Sequence, residues 1–228
     1  VGGPGASGLT SAESYLASLD DSMIDYLDVV FVDQRGTGPS HRLVCPAAQA
    51  VFDVVSVPVD DPQGAKAAAR TYVADCTAEM GRDDLLPFVN TNQAIRDSEA
   101  FRQAIGAPKV WMYGESYGTQ FVQAYATQFP QAVRGVVLDG VVDLHLDAEG
   151  FYRRYVTASE ALLAETFAAC SGMPGCAADM GGDAALVYDA LATRLASAPA
   201  QVPFTLTDGT TRTRNLTLGV LEANAFYA

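Results

Sequence analysis

Apolar segments typical of buried strands alternate along the chain with amphipathic segments typical of helices. Residues 26–33 (YLDVVFVD) and 109–113 (KVWMY) are short, apolar and rich in β-branched or aromatic side chains, which indicates buried strands. Residues 133–138 (VRGVVL) predict a third strand. Because helical patterns separate these strands, we expect right-handed crossovers, a largely parallel sheet and an α/β fold.

Helical periodicity and helix-boundary residues predict helices over four ranges before residue 145: 11–19, 63–80, 91–105 and 117–128. Thr91 or Asn92 is the expected cap of the third helix. From residue 145 the pattern becomes Ala-rich and helical, with an interruption at residues 171–182. We therefore expect an α/β core over residues 1–144 and a helical insertion over residues 145–228.

The charge pattern excludes some partners. The 228 residues carry a formal net charge of −13, and the 14 Lys and Arg residues are scattered rather than clustered. Since nucleic-acid binding needs clustered basic residues, we expect no nucleic-acid partner. No run approaches the roughly 18 uncharged apolar residues that a membrane span requires, so we expect no membrane partner either.

The four cysteines form no C-x-x-C pair and have no histidine nearby, so zinc is not expected. Disulfides Cys45–Cys76 and Cys170–Cys176 would close modest loops, which suggests an oxidising, extracytoplasmic compartment. Four buried free thiols are the alternative, since connectivity cannot be deduced from sequence.

A glycine-rich stretch opens the chain. Residues 2–9 (GGPGASGL) satisfy G-x-G-x-x-G, and Asp33 ends an apolar segment at the distance typical of a dinucleotide site. The alternative is a loop whose backbone N–H groups stabilise an oxyanion. Pro4 stiffens the turn, and a second motif favours hydrolysis, so no cofactor is expected.

That second motif is residues 114–118 (GESYG), a G-x-S-x-G placed between a predicted strand and a predicted helix. In this context the serine of a nucleophile elbow lies above the strand end. Ser116 is therefore the candidate nucleophile. The N–H of Tyr117 and the N–H of Gly3 are the candidate oxyanion donors.

Four stretches together resemble the α/β-hydrolase serine exopeptidases of the prolyl iminopeptidase and tripeptidyl aminopeptidase group. They are residues 2–8 (GGPGASG), 33–40 (DQRGTGPS), 114–119 (GESYGT) and 136–141 (VVLDGV). The resemblance implies an α/β-hydrolase core over residues 1–144 with a truncated helical cap over residues 145–228. It also implies Ser116 as nucleophile, and a cap that confers preference for peptides with a free N-terminus.

A serine hydrolase of this fold also needs a histidine base and an acid, in the order Ser, Asp or Glu, His. His41 precedes the serine and His145 follows the third strand too closely, so neither is suitable. Asp139 lacks a histidine partner and is interpreted as structural. We expect an incomplete piece of the fold, with the triad Asp and His beyond Ala228 or on a second polypeptide.

Other polar residues near these motifs have ambiguous roles. Asp33 can bond the N–H groups of its own turn, and Arg35 can pair with an acid. Glu115 can touch substrate or be a partnered structural carboxylate. Three acids at the cap entrance can receive a substrate ammonium or form a solvated helix face: Glu149, Glu160 and Glu165.

The favoured hypothesis is a secreted serine aminopeptidase that forms an acyl-enzyme at Ser116. A serine carboxypeptidase is an alternative, since GGPG with GESY also resembles that family. An esterase is another, because the elbow alone does not distinguish amides from esters. A non-catalytic binding module or scaffold is the hypothesis from a different class, and the missing histidine supports it.

Overall fold

The computed structural model describes residues 2–39, 41–55, 57–58, 61–206 and 208–225. The helices are α1 (Gly8–Ser18), α2 (Asp21–Ile24), α3 (Pro46–Phe52), α4 (Pro62–Met80), α5 (Thr91–Ala104), α6 (Tyr117–Gln128), α7 (Ala148–Gly172), α8 (Pro174–Met180), α9 (Ala184–Ser197) and α10 (Leu218–Ala225). The strands are β1 (Val110–Glu115), β2 (Val133–Asp139), β3 (Ala200–Thr205) and β4 (Thr211–Leu216).

The chain divides into two compact units. The first contains the segment up to Val44 and the segment Arg82–His145, and the second contains Cys45–Gly81 and the chain from Leu146 onward. The expected division between a core over residues 1–144 and a cap over residues 145–228 stays a prediction. The predicted division assigns residues 45–81 to the core, whereas these residues belong to the second unit.

The first unit is built on a parallel pair of strands. β1 and β2 run in register from Trp111 opposite Gly135 to Glu115 opposite Asp139. Helix α6 connects them and packs on both strands, as expected for a parallel crossover. Ile95, Tyr125 and Ala132 form the buried cluster beneath this crossover.

A buried polar network joins α5 to α6. The Glu99 carboxylate accepts hydrogen bonds from Arg102, at 2.7 and 2.8 Å, and from the hydroxyl of Tyr125, at 2.6 Å. These bonds, with that of Arg102 the largest contribution, lower the pKa of Glu99 to about 2. Burial and the adjacent carboxylate raise the pKa of Tyr125 to about 12.

The second unit contains two helical groups. Helices α3 and α4 are joined by the disulfide Cys45–Cys76. The Glu79 carboxylate accepts hydrogen bonds from the N–H groups of Ala47 and Ala48, which cap the start of α3. The rings of Phe52 and Tyr72 stack at a centroid distance of 4.5 Å.

Helices α7, α8 and α9 form the other group. Disulfide Cys170–Cys176 links the end of α7 to α8, so both predicted disulfides are confirmed. Strands β3 and β4 then form an antiparallel hairpin, which the expectation of a purely helical insertion missed. The missed sequence signals were the alternating polar and apolar residues of β3 and the Asp208-Gly209 turn.

The strand predicted at residues 26–33 is absent. Residues 27–34 belong to no strand or helix, and in the described part of the chain β1 pairs with β2 alone. Val29, Val30 and Val32 are 40–52% exposed. An apolar, β-branched pattern favours extended backbone, but a strand also needs a hydrogen-bonded neighbour, and no described strand pairs with this segment. The strands corresponding to KVWMY and VRGVVL are confirmed.

Candidate active site

Ser116 lies at a sharp turn between β1 and α6. Its φ is +52° and its ψ is −122°, a conformation that is rare outside glycine. Its backbone N–H donates a 2.8 Å hydrogen bond to the carbonyl of Asp139 at the end of β2, and its side chain is exposed. The surrounding structure therefore holds the serine in a strained geometry that directs it out of the sheet.

The first glycine of the motif permits this turn. A Cβ on Gly114 would lie 2.4 Å from the carbonyl oxygen of Gly118. No side chain is tolerated at that separation, so the strand and the first turn of the helix approach each other only because residue 114 is glycine.

Side-chain hydrogen bonds connect this turn to the segment after β2. The hydroxyl of Thr119, which is fully buried, donates to the Ser116 carbonyl at 2.7 Å and accepts from the N–H of Val142 at 2.9 Å. The Gln123 amide donates to the carbonyls of Thr119 and Val142. The sequence motifs did not predict a role for these two side chains. The available signal was a hydroxyl residue three positions after the serine, where it can bond back to the backbone.

The opening glycine-rich loop lies against the serine. A Cβ on Gly2 would be 3.2 Å from Ser116 Cβ and 3.5 Å from Ser116 Oγ. Gly3 and Gly5 adopt φ values of +121° and +102°, and a Cβ on Gly3 would lie 2.7 Å from the nitrogen of Gly5. The loop is thus a tight backbone turn beside the candidate nucleophile, whereas the role of the Gly3 N–H as an oxyanion donor stays a prediction.

Tyr117 begins α6, so its backbone N–H lies in the first turn, where helix N–H groups have no intrahelical acceptor. The side chain of Tyr117 has its own hydrogen-bond partners. Its hydroxyl lies 2.8 Å from the hydroxyl of Thr91 and 3.5 Å from the amide oxygen of Gln34. The expected use of the Tyr117 N–H for an oxyanion stays a prediction.

Within the DQRGTGPS motif, Asp33 has different partners from those expected, whereas Arg35 has the expected kind of partner. Asp33 does not bond the N–H groups of its own turn in the described residues. Instead its Oδ1 accepts from the hydroxyl of Ser7 at 2.8 Å and from the N–H of Leu9 at 3.1 Å. Arg35 does pair with an acid, since its Nε lies 2.7 Å from Asp97 Oδ2, and this raises the pKa of Arg35. Residue 40 of the motif lies outside the described residues.

Two tyrosines bind the carboxylates at the ends of the paired strands. The hydroxyl of Tyr15 donates to Glu115 Oε2, which makes Glu115 a partnered carboxylate. The hydroxyl of Tyr113 donates to Asp139 Oδ2 at 2.8 Å, which raises the pKa of Tyr113. The rings of Tyr15 and Tyr113 meet edge to face at 6.0 Å. Asp139 therefore interacts with a tyrosine, in line with its structural interpretation.

Both histidines of the chain are exposed. His41 is exposed and lines a cleft of about 290 Å³ with Arg35 and Arg82. The His145 ring is fully exposed, 3.3 Å from Asp143 Oδ1. Within the described ranges, no histidine hydrogen-bonds to Ser116 Oγ.

The described residues contain neither a cluster of metal ligands nor a helix suited to a membrane. No group of three or more His, Cys, Asp or Glu side chains is arranged to hold a metal ion. None of the described helices combines the length and apolar character needed to cross a membrane.

The fold and the elbow match a known family. The family described as alpha/beta hydrolase fold matches residues 2–170, and the chain belongs to it. Among curated proteins, the chain is 32% identical over 152 residues to serine protease Hip1 of Mycobacterium tuberculosis, with 64% of this chain and 29% of the relative covered. It is 33% identical over 156 residues to a tripeptidyl aminopeptidase of Streptomyces coelicolor, with 62% and 27% covered.

A proline iminopeptidase of Neisseria gonorrhoeae is more distant, at 24% identity over 140 residues, with 61% of this chain and 30% of the relative covered. The chain thus spans less than a third of the length of these relatives. The family resemblance inferred from the four motifs is confirmed.

Proposed function

We propose that the protein is a serine hydrolase of the aminopeptidase type that forms an acyl-enzyme at Ser116. The observation that carries the proposal is the backbone of Ser116, a non-glycine residue at φ +52° between a parallel strand and a helix. This is the geometry of a nucleophile elbow. Strained backbone of this kind persists where the structure around it enforces it, and it is concentrated at functional sites.

In the proposed reaction, Ser116 Oγ attacks the carbonyl carbon of the substrate and loses its proton to a histidine base. The developing oxyanion accepts hydrogen bonds from the N–H groups of Tyr117 and Gly3. The positive end of the α6 dipole also favours this negative charge. Collapse of the intermediate expels the leaving amine, which takes the proton from the histidine, and water then hydrolyses the acyl-enzyme.

The base and its acid are outside the described residues in this proposal. They belong to another part of the protein or to a second polypeptide. The alternative is a non-catalytic binding fragment, and one observation favours it: within the described residues neither histidine hydrogen-bonds to Ser116 Oγ.

The substrate class rests on the relatives and on the motifs. Tripeptidyl aminopeptidase and proline iminopeptidase are the names of two relatives, and a peptide with a free N-terminus is the corresponding substrate. Of the three acids at the cap entrance, Glu149 is already paired, 2.6 Å from Arg153 in the exposed first turn of α7. A serine carboxypeptidase and an esterase of the same fold remain the alternatives.

We further propose an extracytoplasmic location. The two disulfides support it, because disulfides persist in oxidising compartments and are rare in the cytosol.

A fluorophosphonate probe tests the nucleophile, with the intact mass of every polypeptide in the sample as the readout. We expect stoichiometric labelling of the wild-type protein and none of Ser116→Ala. Ser18→Ala, which removes a helix-surface hydroxyl that donates to the Tyr15 carbonyl, is the matched control and should label normally. Absence of wild-type labelling would favour the non-catalytic alternative.

Peptide substrates with free and acetylated N-termini test the substrate class. An aminopeptidase cleaves the free form and not the acetylated one. Equal cleavage of both forms, or hydrolysis of simple esters alone, would contradict the aminopeptidase assignment while leaving Ser116 as nucleophile.

A further inference from the structure

The glycine-rich loop and the DQRGTGPS turn are held together by one buried carboxylate. Asp33 is only 9% exposed. Its Oδ1 accepts hydrogen bonds from the hydroxyl of Ser7 and from the N–H of Leu9, which lie 26 and 24 residues away in sequence. Buried carboxylates are costly unless hydrogen-bonded, so these two contacts largely determine where the carboxylate can lie.

Two glycines allow the two segments to approach closely. Gly38 has a φ of +49°, and a Cβ there would lie 2.0 Å from Asp33 Oδ2 and 2.5 Å from Ser7 Oγ. A Cβ on Gly8 would lie 2.7 Å from the carbonyl oxygen of Val32. At these separations neither glycine leaves room for a side chain, and the hydrogen bonds to Asp33 link the two segments.

The contact fixes one end of the loop, and the other end lies at the nucleophile. Ser7 caps α1, since its hydroxyl accepts from the N–H of Thr10 at 3.0 Å. Gly2, five residues earlier, lies against Ser116. Between them the backbone passes through the positive-φ residues Gly3 and Gly5. The backbone that faces Ser116 Oγ is therefore only five residues from the contact with Asp33.

We propose that Asp33 is a positioning residue for the oxyanion hole, acting through Ser7 and Leu9 on the glycine-rich loop. The inference rests on the proposed function, because it assigns a role within the same site. Asp33 does not touch the reacting atoms in this role. Its contribution is geometric, since an oxyanion donor stabilises the transition state only within a narrow range of distances.

In this role the oxygen acceptor of the Asp33 side chain matters and its negative charge does not. Both hydrogen bonds go to Oδ1, and an asparagine can present its amide oxygen at that position. Asp33→Asn should therefore retain most of the activity. Asp33→Ala removes the acceptor and should lower kcat by about 10- to 100-fold with little change in KM, somewhat less than the loss of a whole oxyanion donor.

The test uses the complete protein that carries this sequence, with Ser7→Ala as a milder variant that removes one of the two contacts. Asp183→Ala is the matched control, since Asp183 caps α9 through the N–H of Leu186 and has no link to the loop. We would measure kcat, KM, thermal stability and the affinity for a peptide boronic acid, which mimics the tetrahedral intermediate. We expect boronate affinity and kcat to fall in parallel in Asp33→Ala and, less steeply, in Ser7→Ala.

Different outcomes contradict different claims. If the wild-type protein is not labelled by a fluorophosphonate, the proposed function fails and the role of Asp33 fails with it. If the wild-type protein is labelled but folded Asp33→Ala or Ser7→Ala keeps wild-type kcat and boronate affinity, only the role of Asp33 is overturned. Loss of activity in Asp33→Asn equal to that in Asp33→Ala would also overturn it, because an oxygen acceptor for Ser7 and Leu9 would then not be what matters. If Asp33→Ala does not fold, the kcat and boronate affinity of Ser7→Ala test the role of Asp33.

Discussion

At the scale of single residues, the candidate site depends on a few positions that have unusual backbone geometry or no room for a side chain. Ser116 adopts a positive φ despite having a side chain, and Gly114 leaves no room for one. Thr119 is the buried hydroxyl that ties the turn to the segment after β2. Strain at the serine is therefore balanced by hydrogen bonds and close packing around it.

Gly114→Ala should destabilise the protein by about 3 kcal/mol, because the new methyl group would overlap the carbonyl of Gly118. It should also lower the rate of fluorophosphonate labelling at Ser116. Gly172→Ala is the matched control, because nothing lies within 4 Å of a Cβ there. Unfolding curves and labelling rates check both expectations, and wild-type values for Gly114→Ala would contradict the packing argument.

At the scale of elements, side-chain hydrogen bonds decide how helices pack on the parallel strands. Glu99 on α5 binds Tyr125 on α6 and Arg102 on its own helix. Burial of apolar surface brings the two helices together, and this network fixes their register, since an unpaired buried carboxylate would be costly.

Glu99→Gln should lower the free energy of unfolding by about 2 kcal/mol at pH 7, because Arg102 and Tyr125 lose a charged acceptor. The pKa of Glu99 is about 2 in the folded protein, below its ordinary value of 4.5. Its contribution is therefore complete above about pH 4.5 and is lost as the pH falls towards 2.

Denaturant unfolding of the wild-type protein and Glu99→Gln between pH 7 and pH 2 checks this. The difference between the two proteins should shrink below pH 4.5. A difference that stays constant over the whole range would contradict the pKa assignment.

At the scale of the whole molecule, two disulfides constrain the second unit. Cys45 and Cys76 are 31 residues apart, whereas Cys170 and Cys176 are 6 apart. A longer closed loop removes more entropy from the unfolded chain. The two bonds are therefore expected to contribute unequally to stability.

The double variant Cys45→Ser/Cys76→Ser should lose about 3 to 4 kcal/mol of unfolding free energy, and Cys170→Ser/Cys176→Ser about 2 kcal/mol. Denaturant unfolding under non-reducing conditions measures both. The reverse order would show that native-state contacts at α8 outweigh loop entropy.

The sequence by itself determined the features that depend on near neighbours in the chain. The elbow at Ser116, helix α6, strands β1 and β2 and the glycine-rich turn follow from local backbone preferences, which the residue types encode directly. Only the tertiary structure decided which distant groups meet. Asp33 binds Ser7 and Leu9 rather than its own turn, and Tyr15 binds Glu115 across 100 residues.

The same physical reason explains the strand that did not form. The composition of residues 27–34 favours extended backbone, but the pairing of a strand depends on a neighbour that the local pattern does not specify. Hydrogen bonds between distant segments are set by how the chain packs as a whole.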